Sequence, residues 1–494
     1  MRIAHVATSI HIEQIDNRDD IFRKSKLQKY IQRKLKHVLG KTLIKNIEYL
    51  ITVDSERKIV RDAYVAVEGN LISSIGKTKD LETAQGSYDR IIDAKNMVAT
   101  PGYINGHCHI SYAHATRGIF RDDLGKDYLP NVFTLQGSMN PEEERLTSLL
   151  GITELLKYGT TTFVDPGSTK YLDECISAYE LSGVRAVVGK HLASFENPFH
   201  LPIYNHDTAV QLTEQTIKDF HGKLDGRLSA WAMPFAHAFT SDDLLKDLKK
   251  LCDQFETNIT LHVTDAVDSS SDPTRDSSIV RLEKLGFHGD NVVLSHCVGI
   301  NSDDIQSLIN TNTPVIVCPT AVLKMGGGFG KNVPLSEMLD GGVTVGIGTD
   351  AANNSNLIET GRSVYLAAVL IKDASGDVTR IPAETAVELG TIGSARAVGM
   401  GNSIGSIEVG KKADIVLYET MRPEWRTLFN PINNLVYSAD GRSVHTVLVD
   451  GRVVIDDHQP TFVDEEELIA QVQDIGDSML RRTGIDFAPR WPIV

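Results

Sequence analysis

The sequence predicts a (β/α)8 barrel with a small flanking β-sandwich domain built from both ends of the chain. In the middle of the chain, apolar β-branched segments alternate with helical stretches, which indicates a parallel sheet buried on both faces. Short strand-like segments with turn residues occur near both chain ends. Because the two ends of a domain usually lie close together, we expect the terminal segments to form one β domain beside the barrel.

The barrel prediction depends on eight strand candidates. They are YING before His107, then TTTFVD, VRAVVGK, LSAWAMPF, NITLHV, NVVLSH, PVIVCP and VTVGIGTD. Continuous apolar runs of this kind, separated by helices, are typical of barrel strands. Residues 107–350 also cover close to the roughly 250 residues that this fold needs.

The flanking domain is predicted from strand-like segments in residues 41–100 and 401–460. The second part contains a hairpin turn at Asp450-Gly451. The predicted divisions are an N-terminal extension 1–40, β-sandwich parts 41–100 and 401–460, a metal-dependent barrel 101–400, and a C-terminal helix and tail 461–494. Within the extension, residues 21–40 predict a basic amphipathic helix that packs on its own domain or on a partner subunit.

Composition excludes several classes of function. The 494 residues carry a formal net charge of -15, which disfavours binding to nucleic acid or to an anionic membrane. Five cysteines without a CxxC pair make neither a disulfide framework nor a zinc cluster, and no apolar run reaches the length of a signal peptide or a membrane span. We therefore expect a cytoplasmic protein that acts on a small, neutral or cationic molecule.

Polar residues at the ends of predicted strands mark the candidate site. His107 and His109 lie two apart on an extended segment, so both imidazoles point the same way. His262, His296 and Asp350 each end another apolar strand, and the C-terminal ends of barrel strands are where such barrels place active sites. Imidazoles with a carboxylate suit one borderline divalent ion, with Zn²⁺ expected and Fe²⁺, Co²⁺ or Mn²⁺ as alternatives.

Several motifs resemble the amidohydrolase superfamily over about residues 41–480. They are PGYINGHCH, TRG from Thr116, HC at His296, CPTAVLKMGGG from Cys318, GIGTDAANNSN from Gly346 and GSIEVGKKADIVLYE. The chain looks most like the mononuclear branch of deaminases, triazine hydrolases and herbicide-degrading urea and carbamate hydrolases. The resemblance implies that His107, His109, His262 and Asp350 bind the metal and that His296 contacts its water. It also implies a homo-oligomer.

The expected chemistry is attack by hydroxide formed from metal-bound water, with Asp350 accepting a proton and passing it to the leaving group. For the substrate, His237 and Asn353 are the candidate contacts; the alternatives are a structural or solvated His237 and an Asn353 that caps the following helix. Lys190 invites comparison with the bridging lysine of binuclear relatives, but it ends the third predicted strand and not the fourth. A mononuclear centre is therefore preferred.

The sequence departs from the ring-deaminase pattern three residues after His262. There the deaminases carry a glutamate that protonates a ring nitrogen, whereas this chain has the shorter Asp265. Ala321 and Val322 also replace the Ser-Asn pair common in those relatives. We therefore expect hydrolysis of an amide, urea or carbamate C–N bond, with Asp265 supporting the site. The alternatives are an aminohydrolase or chlorohydrolase acting on a heteroaromatic ring and, in another class, a non-catalytic scaffold.

Overall fold

The structure is a computed structural model that describes residues 40–83, 87–121, 123–197, 201–264, 277–485 and 489–493. The basic helix expected at 21–40 lies outside the described residues except for Gly40, and Asp265 lies outside them as well. Among the described helices, none combines the length and apolar composition needed to cross a membrane.

The described strands fall into two regions, at the chain ends and in the middle. They are β1 Lys41–Ile51, β2 Ile59–Glu68, β3 Leu71–Lys77, β4 Arg90–Asp93, β5 Met97–Pro101, β6 Tyr103–Asn105, β7 Thr160–Val164, β8 Arg185–Val188, β9 His191–Leu192, β10 Leu228–Ala230, β11 Met233–Pro234, β12 Ile259–Thr264, β13 Val292–Val298, β14 Val315–Val317, β15 Val345–Ile347, β16 Ile415–Glu419, β17 Val444–Val449, β18 Arg452–Asp456 and β19 Gln459–Pro460.

Helices separate the middle strands and follow the last one. They are α1 Tyr128–Gly137, α2 Pro141–Lys157, α3 Leu172–Ser182, α4 His206–Phe220, α5 Asp242–Gln254, α6 Ser278–Lys284, α7 Ser302–Thr311, α8 Pro319–Lys324, α9 Phe329–Asn332, α10 Leu335–Asp340, α11 Thr360–Ser375, α12 Ala383–Glu388, α13 Ser394–Ala397, α14 Pro431–Tyr437 and α15 Glu465–Thr483. Their N-terminal caps are often Asn or Ser; Asn140, for example, caps α2 in a capping box with Glu143.

The middle strands form the barrel. Parallel pairing gives the orders β10-β8-β7-β6 and β12-β13-β14-β15, with β9 and β11 paired beyond β8 and β10. The Thr260 N–H donates to the Ala232 carbonyl at 3.1 Å, and the Gly106 N–H donates to the Ile347 carbonyl at 2.8 Å. These two bonds join the sheets into a ring, and the expectation of a barrel is confirmed. All residues of β7, β8 and β13 are buried, as strands covered on both faces require.

Strands from residues 41–101 and 415–460 form one nine-stranded sheet. Its centre is the antiparallel pair of β16 with β5, where Ile415 lies opposite Pro101. Ile44, Ile47 and other buried side chains of these strands form a separate apolar cluster. The flanking β domain built from both chain ends is therefore confirmed.

Candidate metal centre and active site

Four histidines and one aspartate converge at the C-terminal ends of the barrel strands. His107 and His109 follow β6, His262 lies in β12, His296 lies in β13, and Asp350 follows β15. The His107 ring centroid lies 5.1 Å from that of His109, 4.8 Å from His262 and 4.7 Å from His296. His109 Nε2 lies 3.5 Å from Asp350 Oδ1. We call these five residues the His/Asp cluster.

A β-bulge turns His296 into the cluster. Along the β12–β13 ladder, His262 pairs with Ser295 and Val263 with His296, but Thr264 pairs with Val298. Regular pleating would point the His296 side chain away from His262. Instead φ is +74° at His296 and +49° at Cys297, and the His296 ring stacks 5.4 Å from the His262 ring. The strand end adopts a costly backbone conformation that redirects this side chain, as bulges near active sites do.

The ring nitrogens of the cluster are arranged as metal ligands. His262 Nδ1 lies 2.6 Å from the Phe235 carbonyl oxygen. Because a carbonyl only accepts, Nδ1 carries the proton, and the lone pair of Nε2 faces His109 Nε2 at 3.5 Å. The buried His107 has no hydrogen-bond partner on either ring nitrogen within the described structure. Unpaired buried polar atoms are costly, and a divalent ion among these side chains would satisfy them.

Asp350 is held by its own loop. Its Oδ1 accepts from the Ala351 N–H at 2.7 Å, and its Oδ2 accepts from Asn354 Nδ2 at 3.0 Å. The Asp350 N–H donates to the His107 carbonyl at 2.9 Å, which ties β15 to β6. At Gly348, a Cβ atom would lie 2.9 Å from His107 Cβ, so only glycine permits this close approach.

The electrostatics of the cluster favour neutral imidazoles at His107, His262 and His296 and an ionised carboxylate at Asp350. Burial, reinforced by neighbouring histidines, holds the pKa of His107 and of His262 well below the ordinary value, and burial also lowers the pKa of His296. Burial alone would raise the pKa of Asp350, but His109 and the other imidazoles lower it overall. Neutral histidine and ionised aspartate are the forms that bind a divalent ion.

A cavity of about 420 Å³ opens over the cluster. Its wall includes the side chains of Tyr112, Tyr128, Phe133 and Phe235. The ring centroids of Phe133 and Phe235 are 6.4 Å apart and tilted by 78°, an edge-to-face pair. This size and apolar character suit a small organic molecule.

The two candidate substrate contacts both line this cavity. His237 lies on a turn after β11, and its Nε2 is 3.1 Å from Ser278 Oγ. Asn353 donates through Nδ2 to Thr116 Oγ1 at 2.9 Å, while its buried Oδ1 has no hydrogen-bond partner among the described residues. Both positions allow contact with a bound molecule.

The side chain of Lys190 is hydrogen-bonded to the backbone. Its Nζ donates to the Lys170 carbonyl at 2.9 Å, and burial lowers its pKa. The next residue, His191, is buried with its ring centroid 6.0 Å from that of His109. The Lys190 ammonium is therefore engaged by a backbone carbonyl, whereas His191 lies beside the His/Asp cluster.

Sequence reasoning did not identify the aromatic wall or the bond from Asn354 to Asp350. Tyr112 follows β6, and Tyr128 and Phe133 lie in α1, so all three belong to the long segment that links β6 to α2. A connection of that length after a barrel strand, rich in aromatic residues, is a signal of a substrate-binding loop.

Comparison with known proteins relates the chain to one enzyme family. A model of the Amidohydrolase family matches residues 98–454. A 5-methylthioadenosine/S-adenosylhomocysteine deaminase from Carboxydothermus hydrogenoformans is 31% identical over 436 residues, which cover 86% of this chain and 95% of the relative. A 5'-deoxyadenosine deaminase from Methanosarcina acetivorans is 29% identical over 448 residues, which cover 89% of this chain and 98% of the relative.

Solved structures share the fold. An adenosine deaminase from Xanthomonas campestris with bound zinc superposes with a TM-score of 0.80 at 24% identity, covering 90% of this chain and 99% of that one. A zinc complex of atrazine chlorohydrolase from Arthrobacter aurescens gives a TM-score of 0.80 at 24% identity, covering 88% and 100%. The barrel, the His/Asp cluster and the family match together show that this chain belongs to the amidohydrolase family and is a hydrolase of carbon–nitrogen bonds other than peptide bonds.

Proposed function

We propose that the protein hydrolyses an amide, urea or carbamate C–N bond of a small molecule at one divalent ion, Zn²⁺, bound by His107, His109, His262 and Asp350. The observation that carries the substrate choice is the cavity wall beside the cluster. In that wall Ala321 and Val322 present apolar groups, where recognition of a heterocyclic ring edge would call for polar ones. An acyclic carbonyl needs no proton donor for a ring nitrogen.

Held by the four proposed ligands, a divalent ion would polarise the substrate carbonyl oxygen and would lower the pKa of a bound water towards about 7. The chain supplies the rest. His296 lines the cavity with its ring stacked on the proposed ligand His262, a position from which it would orient the attacking water. Asp350 accepts the proton that the water loses as the new C–O bond forms, and returns it to the nitrogen as the C–N bond breaks. Asn354 Nδ2 donates to Asp350 Oδ2 and keeps this oxygen in place.

Residues of the cavity wall would also contact the substrate. Tyr112, Phe133 and Phe235 offer flat apolar surfaces, and the unpaired Asn353 Oδ1 offers a hydrogen-bond acceptor to a substrate N–H. His237 lies at the same wall. We assign recognition of the substrate to these groups.

A second candidate, hydrolytic deamination of an adenine-type ring, is favoured by the names of the relatives. In this case Asp265, three residues after His262, would have to protonate the ring. Its shorter side chain displaces the donor by about 1 Å relative to glutamate, and such a displacement costs roughly 100-fold in rate.

One experiment separates the two candidates. Purified enzyme reconstituted with Zn²⁺ is assayed against matched amides, ureas and carbamates and against adenosine, 5'-deoxyadenosine and 5-methylthioadenosine. We expect amine release from an acyclic substrate that survives in Asp265→Asn. Ammonia release from an adenosine derivative that is abolished in Asp265→Asn and retained in Asp265→Glu would overturn the proposal in favour of deamination.

We further propose that the protein resides in the cytoplasm and forms a homo-oligomer. Five buried cysteines without a disulfide support a reducing compartment. Light scattering on the full chain measures the assembly, and a monomer at micromolar concentration would exclude it.

A further inference from the structure

A second group of metal-ligating side chains lies in the flanking β domain. His445 is in β17, while Asp457 and His458 form the turn between β18 and β19. One ligand atom from each of the three lies within 4.8 Å of the other two. None of the three lines the cavity over the His/Asp cluster as the described residues define it. We call this group the hairpin cluster.

The hairpin cluster is held by contacts that leave its ligand atoms facing each other. His445 Nδ1 is hydrogen-bonded to Thr446 Oγ1 at 2.8 Å, and its Nε2 lies 3.5 Å from Asp457 Oδ1. The His458 N–H donates to the His445 carbonyl at 3.0 Å, which fixes the two histidines side by side. Their ring centroids are 5.1 Å apart.

A fourth candidate ligand, a carboxylate oxygen, approaches from the neighbouring strand. Glu419 ends β16, and its Oε2 lies 3.7 Å from His458 Nε2. Arg422 Nη1 lies 3.4 Å from the same oxygen. Two ligands on a tetrahedral ion with bonds of about 2.1 Å lie about 3.4 Å apart. Two separations, His445 Nε2 to Asp457 Oδ1 at 3.5 Å and His458 Nε2 to Glu419 Oε2 at 3.7 Å, are close to this value. The side chains are exposed or partly exposed, so rotation can bring the remaining ligand atoms together.

We propose that His445, His458 and Asp457, with Glu419 completing the set, bind a second divalent transition-metal ion such as Zn²⁺ in the flanking β domain. Two imidazoles with carboxylates are the ligands that borderline ions prefer, and Mg²⁺ or Ca²⁺ would require more oxygen atoms. The ion fastens the β18–β19 hairpin to β16 and β17. This site is structural and independent of the substrate chosen by the active site.

The test measures Zn²⁺ binding to the full chain by titration against a chromophoric chelator. The variant His445→Gln/His458→Asn removes both imidazoles. Asparagine suits position 458 because φ is +64° there, so the turn is preserved. We expect wild type to bind one equivalent more than the variant, and each single variant to bind that equivalent about tenfold or more weakly. Hydrolytic activity and the active-site ion are expected to persist in all three.

The control is His206→Gln, which removes a surface histidine paired with a single carboxylate, Asp247 at 3.0 Å. It should leave the second equivalent unchanged. Equal stoichiometry and affinity in wild type and the double variant would overturn the proposal, as would binding lost equally in His206→Gln. Absence of hydrolysis with intact binding at the hairpin cluster would contradict only the proposed function.

Discussion

Two of the proposed ligands of the His/Asp cluster, His262 and Asp350, are held in place by hydrogen bonds to their surroundings. The Phe235 carbonyl sets the tautomer of His262, and Asn354 with the Ala351 N–H orients Asp350. Such supporting hydrogen bonds reduce the reorganisation needed when an ion binds.

Replacing His109 by Ala should remove both bound metal and activity, because the variant lacks one of the four proposed ligands. Metal content is measured by mass spectrometry on dialysed protein, and activity on the substrate found in the screen. His206→Ala at the surface serves as the control and should retain both. A His109→Ala enzyme with near-native rate and metal would show that the ligand set is wrong.

Replacing His296 by Ala should leave the ion bound and reduce turnover by about 100-fold or more, since its proposed role is to act on the water and not on the metal. The measurement pairs kcat with metal content. Loss of the ion itself would make His296 a ligand.

Replacing Asn354 by Ala should lower kcat by about 10-fold to 100-fold with the metal retained, because Asp350 loses the donor that holds its outer oxygen. The exposed Asn433→Ala provides a comparison in which an amide is removed from a surface helix. Unchanged kinetics in Asn354→Ala would mean that the Ala351 N–H alone orients the aspartate.

At the level of secondary-structure elements, a buried ion pair connects the barrel to the flanking β domain. Arg185 of β8 donates to both carboxylate oxygens of Asp414 at 3.2 Å and to Asp450 at 3.3 Å. All three side chains are at most 6% exposed. The guanidinium neutralises two buried carboxylates, so its removal leaves Asp414 without a cation and leaves Asp450 with only Lys412 Nζ at 3.7 Å.

Replacing Arg185 by Met should destabilise the protein by roughly 3–5 kcal/mol, the usual cost of leaving buried charges unpaired. Urea denaturation measures the loss. The control is Lys218→Met, which breaks the exposed helical pair with Glu214 and should cost about 0.5 kcal/mol or less. Equal losses in both variants would argue against a special role for the buried pair.

At the level of the whole molecule, the barrel concentrates neutral histidines in its interior. Burial, assisted by His109, lowers the pKa of His191 to about 3. In the unfolded chain the pKa of histidine is about 6.5, so below that pH the unfolded state binds a proton that the folded state excludes. The contribution of His191 to the free energy of unfolding is therefore fully present above about pH 6.5 and is lost as the pH falls towards 3.

Metal-free protein should accordingly lose stability from about pH 6.5 downwards, and His191→Gln should reduce the slope by up to about 1.4 kcal/mol per pH unit. The measurement is the urea midpoint of both proteins from about pH 7.5 to about pH 4.5. Identical slopes would show that His191 accepts a proton without unfolding.

Local sequence pattern determined much of this protein. Alternating apolar strands and helices predict the barrel, the family resemblance is confirmed by the matching family model, and hydrolysis of a non-peptide C–N bond is confirmed with it. The site residues and domain divisions remain predictions, and the structure shows that the candidate ligands and His296 do lie together. The fold could be predicted because the spacing of apolar residues and the order of strands and helices can be read along the sequence.

Only the tertiary structure decided how the side chains meet. Strand alternation alone directs His296 away from His262, and a bulge with positive φ at two residues brings it back. The bond from Asn354 to Asp350, the aromatic wall and the hairpin cluster also depend on loop paths and on pairing between strands distant in sequence. Such contacts are set by packing and strand pairing between distant segments, and no local pattern of residues encodes them.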